Sequence, residues 1–254
     1  MTPMADRHRT LANERTHLLL GDVGIKRLSE AHVLVAGVGG VGGNCVEALA
    51  RAGVGKLTLV DFDRVVASNC NRQVVALHST LDCLKVEVMA ERARDIQPGI
   101  TLVCEARRLS PPEIPDFLPE GVDVVLDCID AITSKVALYR AAQERGIFVA
   151  GSMGAAARLD PSQVRVGDLY ETHGCPMATA VRKLARRWGV QTGVRAVFSP
   201  ERPLPHPERE FVPGAGPQKT VNGTISYMPP IFGLMLAAEG IRYLLGSDMP
   251  GGAR

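Results

Sequence analysis

Short apolar runs and amphipathic stretches alternate along the first 150 residues of the chain. HVLVAG (32–37), KLTLVD (56–61), ITLVC (100–104), DVVLDC (123–128) and IFVAG (147–151) are brief, β-rich and apolar at consecutive positions. Such runs predict strands buried on both faces, as in a parallel sheet covered by helices. Between them apolar positions recur every three or four residues, most clearly in 84–97, where Val86, Met89, Ala93 and Ile96 share one helical face. The order βαβαβ predicts an α/β fold of the Rossmann-like, doubly wound type with a mainly parallel sheet.

After residue 151 the rhythm loosens into a C-terminal extension. SQVRV (162–166) and GVRAVFS (193–199) predict further strands, 175–188 a helix between them, and 230–245 a closing helix. The most apolar segment, PIFGLMLAAEGIRYLLG (230–246), contains Glu239 and Arg242 and falls short of the roughly 20 residues of a membrane span. It reads as a buried or interface helix. Residues 199–222 are dense in proline, glycine and charge, which predicts a mobile surface loop. Neither an internal repeat nor a clear boundary divides the sequence, so 1–254 is expected to form one domain.

Composition narrows the picture. An apolar fraction of 46% with 26 glycines suits a mixed α/β core rather than a disordered or fibrous chain. A formal net charge of +2 gives no global field, so any nucleic-acid surface must be local. The polar start, MTPMADRHRTLANERTH, lacks the apolar core of an export signal, and a cytoplasmic protein without a membrane span is expected. Cys45, Cys70, Cys83, Cys104, Cys128 and Cys175 form no C-x-x-C pair, which argues against a zinc ribbon and a disulfide framework.

Candidate chemistry starts at GVGGVG, Gly37 to Gly42, which leaves the first strand and opens a helix. Glycines at 37, 39, 40 and 42 let backbone approach a phosphate, the helix N-terminus faces its charge, and Asp61 can accept from ribose hydroxyls. Taken alone the motif fits a NAD enzyme. The stretch VDFDRVVASNCNRQ adds Asp63, Asn69 and Arg72, Lys85 follows, and Asp130 lies just past the fourth strand. ATP carries a third phosphate and a metal, which call for cations and a carboxylate. In an open α/β sheet these positions converge outside the C-terminal strand ends. Each has an ordinary alternative: Arg72 as a solvated loop residue, Lys85 as a helix-start cation, Asp130 as a helix cap.

In combination, GVGGVGG, LVDFDRVVASNCNRQ, LKVEVMAERARDIQP and VLDCIDA resemble the ubiquitin-activating-enzyme-like adenylyltransferases over residues 15–150. The resemblance implies ATP bound by Gly39, Gly40 and Asp61, with Asn69, Arg72 and Lys85 on the phosphates and Asp130 holding Mg²⁺. It also implies a homodimer in which Arg15 reaches the partner subunit's ATP, so that Arg15, Arg72, Lys85 and Asp130 form the catalytic set. Gly37, Gly42 and Asp63 are counted in the same nucleotide site. Sulfur-carrier activators usually hold zinc on two C-x-x-C pairs, and this chain has none. Its later half, from GSMGAAARLDPSQVRV to NGTISYMPPIFGLMLAAEGI, is instead similar to the branch that dehydrates threonylcarbamoyladenosine in bacterial tRNA. That extends the resemblance to about 15–245 and implies a tRNA substrate whose own atoms displace AMP.

Two features stand beside this. Cys175 follows His173 and opens a helix, a setting for a nucleophile or for a sulfur acceptor fed by a sulfur-transfer protein; the plainer reading is a helix-entry residue. In the helix beginning there, Met177, Val181, Leu184 and Trp188 form an apolar stripe, while Arg182, Lys183, Arg186 and Arg187 gather on the opposite face. Such a face binds tRNA phosphate or is merely solvated, and Arg107, Arg108 and Arg195 are candidates to extend it. Three activities remain: a tRNA dehydratase, an adenylyltransferase acting on a ubiquitin-like or sulfur-carrier protein, and a NAD enzyme or non-catalytic nucleotide module.

Overall fold

A computed structural model describes residues 13–205 and 223–246. The order of elements is α1 (Glu14–Glu30), β1 (His32–Ala36), α2 (Gly42–Ala52), β2 (Lys56–Val60), α3 (Lys85–Ile96), β3 (Thr101–Glu105), α4 (Ile114–Phe117), β4 (Val124–Asp127), α5 (Ile132–Glu144), β5 (Phe148–Ser152), β6 (Arg165–Asp168), α6 (Pro176–Arg187), β7 (Arg195–Phe198) and α7 (Met228–Leu245). The strands form one sheet in the order β3-β2-β1-β4-β5-β7-β6. Every pairing is parallel except β6 with β7. Strand order reverses between β1 and β4, the position at which ligands bind in such sheets.

Alternation along the central strands divides the core. Val33 and Val35 of β1, Leu57 and Leu59 of β2, and Val124 and Leu126 of β4 meet Val46, Leu49, Met89 and Phe232 of α2, α3 and α7. Leu34, Val125 and Val149 point the other way, to Ile114, Val136, Tyr139 and Val181 of α4, α5 and α6. Both faces are therefore covered, which is why these strands read as unbroken apolar runs. The closing helix begins at Met228, with Pro229 and Pro230 in its first turn, where no backbone donor is lost to the helix. Gly233 and Gly240 lie two turns apart on its inner face: a Cβ at Gly233 would run into the Val41 carbonyl, and one at Gly240 would lie 3.2 Å from Leu126.

Some expectations change. ITLVC forms a strand, yet β3 is largely exposed, because it is the edge strand of the sheet. The first half of SQVRV is a 3₁₀ turn, Pro161–Gln163, held by the Asp160 carboxylate accepting from the Ser162 N–H; only Arg165–Asp168 is strand. The helix α1 carries no clear apolar stripe, with Leu18, Leu19 and Val23 exposed, and it bends at Gly21. It docks where Arg27 donates to the Leu245 carbonyl at the end of α7. Within the expected loop at 199–222, residues 206–222 lie outside the described residues.

A buried ion pair fixes the end of β4. Lys135 Nζ lies 2.5 Å from Asp127 Oδ2, both side chains are fully buried, and the ammonium also donates to the Ser152 carbonyl at 2.9 Å. Asp127 Oδ1 accepts from the Ile129 N–H at 3.0 Å, so the same carboxylate shapes the turn that leads to Asp130. Burial, and then the Asp127 charge, push the nearby Tyr139 hydroxyl well above the usual tyrosine pKa. Removing one member of such a pair strands a charge in the core, whereas replacing both with apolar groups does not. Lys135→Met should therefore lower unfolding free energy by about 3–5 kcal/mol in urea titrations. Adding Asp127→Leu should recover a large part of that loss.

Candidate active site

The chain leaves β1 through a loop that only glycine can build. Gly37 sits at φ +88°, its N–H donates to the Val60 carbonyl at 2.7 Å, and a Cβ there would lie 2.9 Å from the Cys128 carbonyl. A Cβ at Gly42 would collide with the Gly37 carbonyl. The loop thus threads between the ends of β2 and β4, and α2 starts without a side-chain cap, its Gly43 N–H donating to the Gly39 carbonyl at 2.9 Å and its Cys45 N–H to the Val41 carbonyl at 3.1 Å. Asn44 Nδ2 donates to the Gly40 carbonyl at 2.9 Å and stiffens the turn.

Asp61 ties this loop to the neighbouring strand. Its Oδ2 accepts from the Val38 N–H at 2.7 Å and its Oδ1 from the Asp63 N–H at 2.9 Å. A carboxylate offers about four acceptor sites, so capacity remains for a ribose. Asp63 is engaged by Lys85: Nζ to Oδ2 is 2.8 Å, with the lysine side chain 6% exposed and the aspartate 47%. The pair places a nearly buried ammonium at the start of α3, anchored further by the Lys85 N–H on the Asp63 carbonyl at 3.1 Å.

Between them, residues 61–84 carry two 3₁₀ turns, Ala67–Asn69 and His78–Thr80. The first brings Arg72 against the glycine loop, its Cγ 3.5 Å from where a Cβ on Gly40 would stand. Arg72 donates to the Ser68 carbonyl at 3.0 Å and to Asn71 Oδ1 at 2.9 Å, and partial burial pulls its guanidinium below the ordinary arginine pKa. It remains a cation. Asn69 is buried, and its Oδ1 accepts from the Val66 N–H at 3.3 Å. Gln73 escaped the sequence reading of the site. Its Oε1 is buried without a partner and its Nε2 would meet a Cβ on Gly39 at 3.7 Å, so an unspent polar group faces the loop. Its only sequence signal is its position at the end of the same polar stretch.

Asp130 is exposed, one residue before the N-cap Ala131, and has no hydrogen bond or ion pair among the described residues. It is therefore not a cap. No group of three or more His, Cys, Asp or Glu suited to a metal occurs among the described residues. The exposed carboxylate of Asp130 fits a Mg²⁺ that takes a single protein carboxylate, with phosphate oxygens and water completing the shell. Arg15 is not brought to this edge. Asn13, two residues before it, packs against Gly53 at the far end of α2, a helix length of roughly 16 Å from the glycine loop at 1.5 Å per residue.

The other sequence candidates separate. Cys175 is buried as the N-cap of α6, and His173 turns to the Glu171 carbonyl and the Phe198 ring, so no thiol–imidazole pair forms. Arg182 donates to the Thr172 carbonyl at 2.6 Å and Arg186 lies 5.1 Å from the Tyr170 ring centroid, so both help hold the preceding turn. Lys183 and Arg187 are exposed. Arg195 pairs with Glu239 at 2.8 Å and stands at the start of β7, the edge opposite the glycine loop; it does not extend the basic face. A cavity of about 390 Å³ between Pro111, Pro115, Ala141 and Trp188 also lies away from this edge.

The model of the ThiF family matches residues 13–253. A tRNA threonylcarbamoyladenosine dehydratase of Bacillus subtilis is 39% identical over 190 residues, 75% of this chain and 75% of that protein. Its namesake from Escherichia coli is 36% identical over 193 residues, 73% of this chain and 72% of that one. The crystal structure of E. coli tRNA N6-threonylcarbamoyladenosine dehydratase, TcdA, in complex with ATP has a TM-score of 0.84 at 29% identity, covering 99% of this chain and all of that chain. Since the family match runs from α1 to the end of α7 and takes in the glycine loop, Asp61, Arg72, Lys85 and Asp130, the chain belongs to the ThiF family.

Proposed function

We propose that the chain is an ATP-dependent dehydratase of threonylcarbamoyladenosine in tRNA, acting next to the anticodon. The observation that carries the reading is Arg72 packed against the glycine loop, with Lys85 held by Asp63 two residues past the Asp61 that binds the loop, a cationic set suited to a triphosphate. The names of the relatives supply the substrate, and the ATP in the similar E. coli structure supplies the cosubstrate.

The threonyl carboxylate attacks the α-phosphorus of ATP and pyrophosphate departs; an atom of the substrate's carbamoyl group then attacks the acyl adenylate and AMP leaves, so that the ring closes with net loss of water. The glycine loop and the start of α2 bind phosphate, and Asp61 holds ribose. Asn69, Arg72 and Lys85 face the phosphates, and the two cations offset charge growing on the departing pyrophosphate. Asp130 would hold Mg²⁺, which supplies Lewis-acid neutralisation of the phosphates when bound. Since the substrate provides the nucleophile, the buried Cys175 needs no part in the reaction; a sulfur-transfer protein is at most an accessory partner.

A homodimer completes this reading. Arg15 stands on α1 near the exposed Leu18, Leu19 and Val23, apolar side chains that a second copy would cover, and it lies too far from its own glycine loop to serve it. Exposed Lys183 and Arg187 provide the phosphate-binding part of α6. No helix among the described residues is long and apolar enough to cross a membrane, and the cytoplasm is the compartment that holds the substrate.

AMP release from ATP should require tRNA bearing the threonylcarbamoyl group; release driven instead by a carrier protein, or absent with every substrate, would overturn the reading. Asp130→Ala, Arg72→Ala and Lys85→Ala should each slow AMP formation by roughly 10²–10³-fold. A mixture of Arg15→Ala and Asp130→Ala subunits should regain activity in heterodimers, where one site holds both groups. Lys183→Glu with Arg187→Glu should weaken tRNA but not ATP binding, and should flatten the slope of log affinity against log salt by about two units. Changing Arg182 as well would confound that measurement, because its bonds to Thr172 would be lost.

A further inference from the structure

Arg158 lies in the loop that leaves the C-terminal end of β5, and only 3% of it is exposed. Its Nη1 donates to the Gly154 carbonyl at 2.7 Å and to the Ala156 carbonyl at 3.0 Å, while Nε and Nη2 are buried without a partner. The acids of this region are spent elsewhere: Glu201 accepts from the Leu159 and Asp160 N–H groups, and Asp160 accepts from Ser162 and Gln163. An arginine stays charged in the interior, so one left without an anion costs folding free energy that a ligand would offset. The backbone nevertheless holds it there. Ala157 has φ +58°, a region that side-chain-bearing residues rarely adopt. Its N–H donates to the Gly223 carbonyl at 2.9 Å and its carbonyl accepts from the Leu204 N–H at 2.8 Å.

Gly154 leaves one side of this guanidinium open. Its φ is not positive and a Cβ on it would meet nothing closer than 3.6 Å, so neither backbone conformation nor packing demands glycine there. That Cβ would stand 3.7 Å from Arg158 Nη1, and Gly154 is itself partly exposed, so bare backbone separates the guanidinium from solvent. In the sheet β5 follows β4 on the side away from β1 and β2. Asp61 and Arg158 therefore stand on opposite sides of the glycine loop, with Asp130 between them. With ribose on Asp61, the second substrate enters from the β5 side. The unpartnered Nε and Nη2 are adjacent donors, the pair that grips both oxygens of a carboxylate. We propose that Arg158 is the subsite for the threonyl carboxylate of the tRNA substrate, which it holds until that group attacks ATP. This rests on the dehydratase reading above. A tRNA phosphate has the same oxyanion chemistry, but a recess reached across one glycine suits a carboxylate on a free arm better than a phosphate fixed in a chain.

The test titrates the full chain, without ATP so that nothing turns over, with tRNA carrying the threonylcarbamoyl group and with the same tRNA lacking it. ATP affinity and unfolding temperature are measured in parallel. The wild type should prefer the modified tRNA, and Arg158→Met should lower that preference about tenfold or more while ATP affinity stays at the wild-type value. Arg158→Lys keeps the charge and a donor for the Gly154 and Ala156 carbonyls but loses the fork, so it should lower the preference by less. Gly154→Ala adds a methyl group that the fold accommodates beside the guanidinium. It should lower the preference too, which keeps the subsite open to test if Arg158→Met does not fold. Folded variants with the wild-type preference would overturn the subsite, and so would an equal loss of affinity for both tRNAs, which would put a phosphate on Arg158. Equal affinity of the wild type for the two tRNAs, with AMP released only with the modified one, would overturn the subsite and leave the dehydratase reading standing. If the wild type released no AMP with either, that reading would fall, and the subsite with it.

Discussion

Three backbone segments meet outside the end of β1 at distances that no side chain allows. Gly37 passes against the Cys128 carbonyl, Gly42 packs on the Gly37 carbonyl, and Gly233 packs on the Val41 carbonyl. This contact lets the phosphate-binding turn, the turn after β4 and the closing helix share one small volume. A methyl group at Gly42 or Gly233 would push α2 or α7 outward, and the N–H groups at the head of α2 would move with it. Pro229, in the first turn of α7, lies 3.0 Å from where a Cβ on Gly40 would stand, so the closing helix also backs the loop. The apolar character of α7 follows from that role, with Met228, Phe232 and Leu236 fully buried between sheet and loop.

Charge is organised around this point in layers. The fully buried Asp127–Lys135 pair is satisfied within the core and fixes the β4 turn. At intermediate depth, Asp63 holds the Lys85 ammonium in place while leaving half of its own surface in water. Asp61 spends two acceptor sites on backbone, which locks the glycine loop to β2. Among the described residues, Asp130 and the buried Gln73 oxygen are left unspent. A site whose supporting charges are already paired pays little reorganisation when a highly charged ligand enters.

The basic helix shows how far a sequence pattern can carry. Its apolar stripe is real, with Val181 and Ala185 buried and Leu184 and Trp188 partly so. Its cations divide by reach: Arg182 and Arg186 fold back on the turn before the helix, and Lys183 and Arg187 project outward. A helical projection counts charges on a face, but whether a long side chain turns toward its own chain depends on a neighbour such as Thr172 or Tyr170, which comes from a different element.

What the sequence determined by itself was whatever is written in short-range pattern. Consecutive apolar residues marked β1, β2, β4 and β5, because strands covered on both sides must be apolar on both sides. Gly37 to Gly42 marked the loop, since only glycine fits its contacts, and the acids and cations of 61–85 marked what surrounds it. Tertiary structure decided the rest. It placed β3 at the sheet edge in spite of its apolar run, and gave α1 a course that its weak amphipathicity does not announce. It separated Arg15 from its own glycine loop, paired Arg195 with Glu239, and brought the unremarked Gln73, Asp127 and Lys135 to the site or beneath it. These outcomes depend on which residues distant in the chain become neighbours when the sheet closes, and local periodicity carries no record of that.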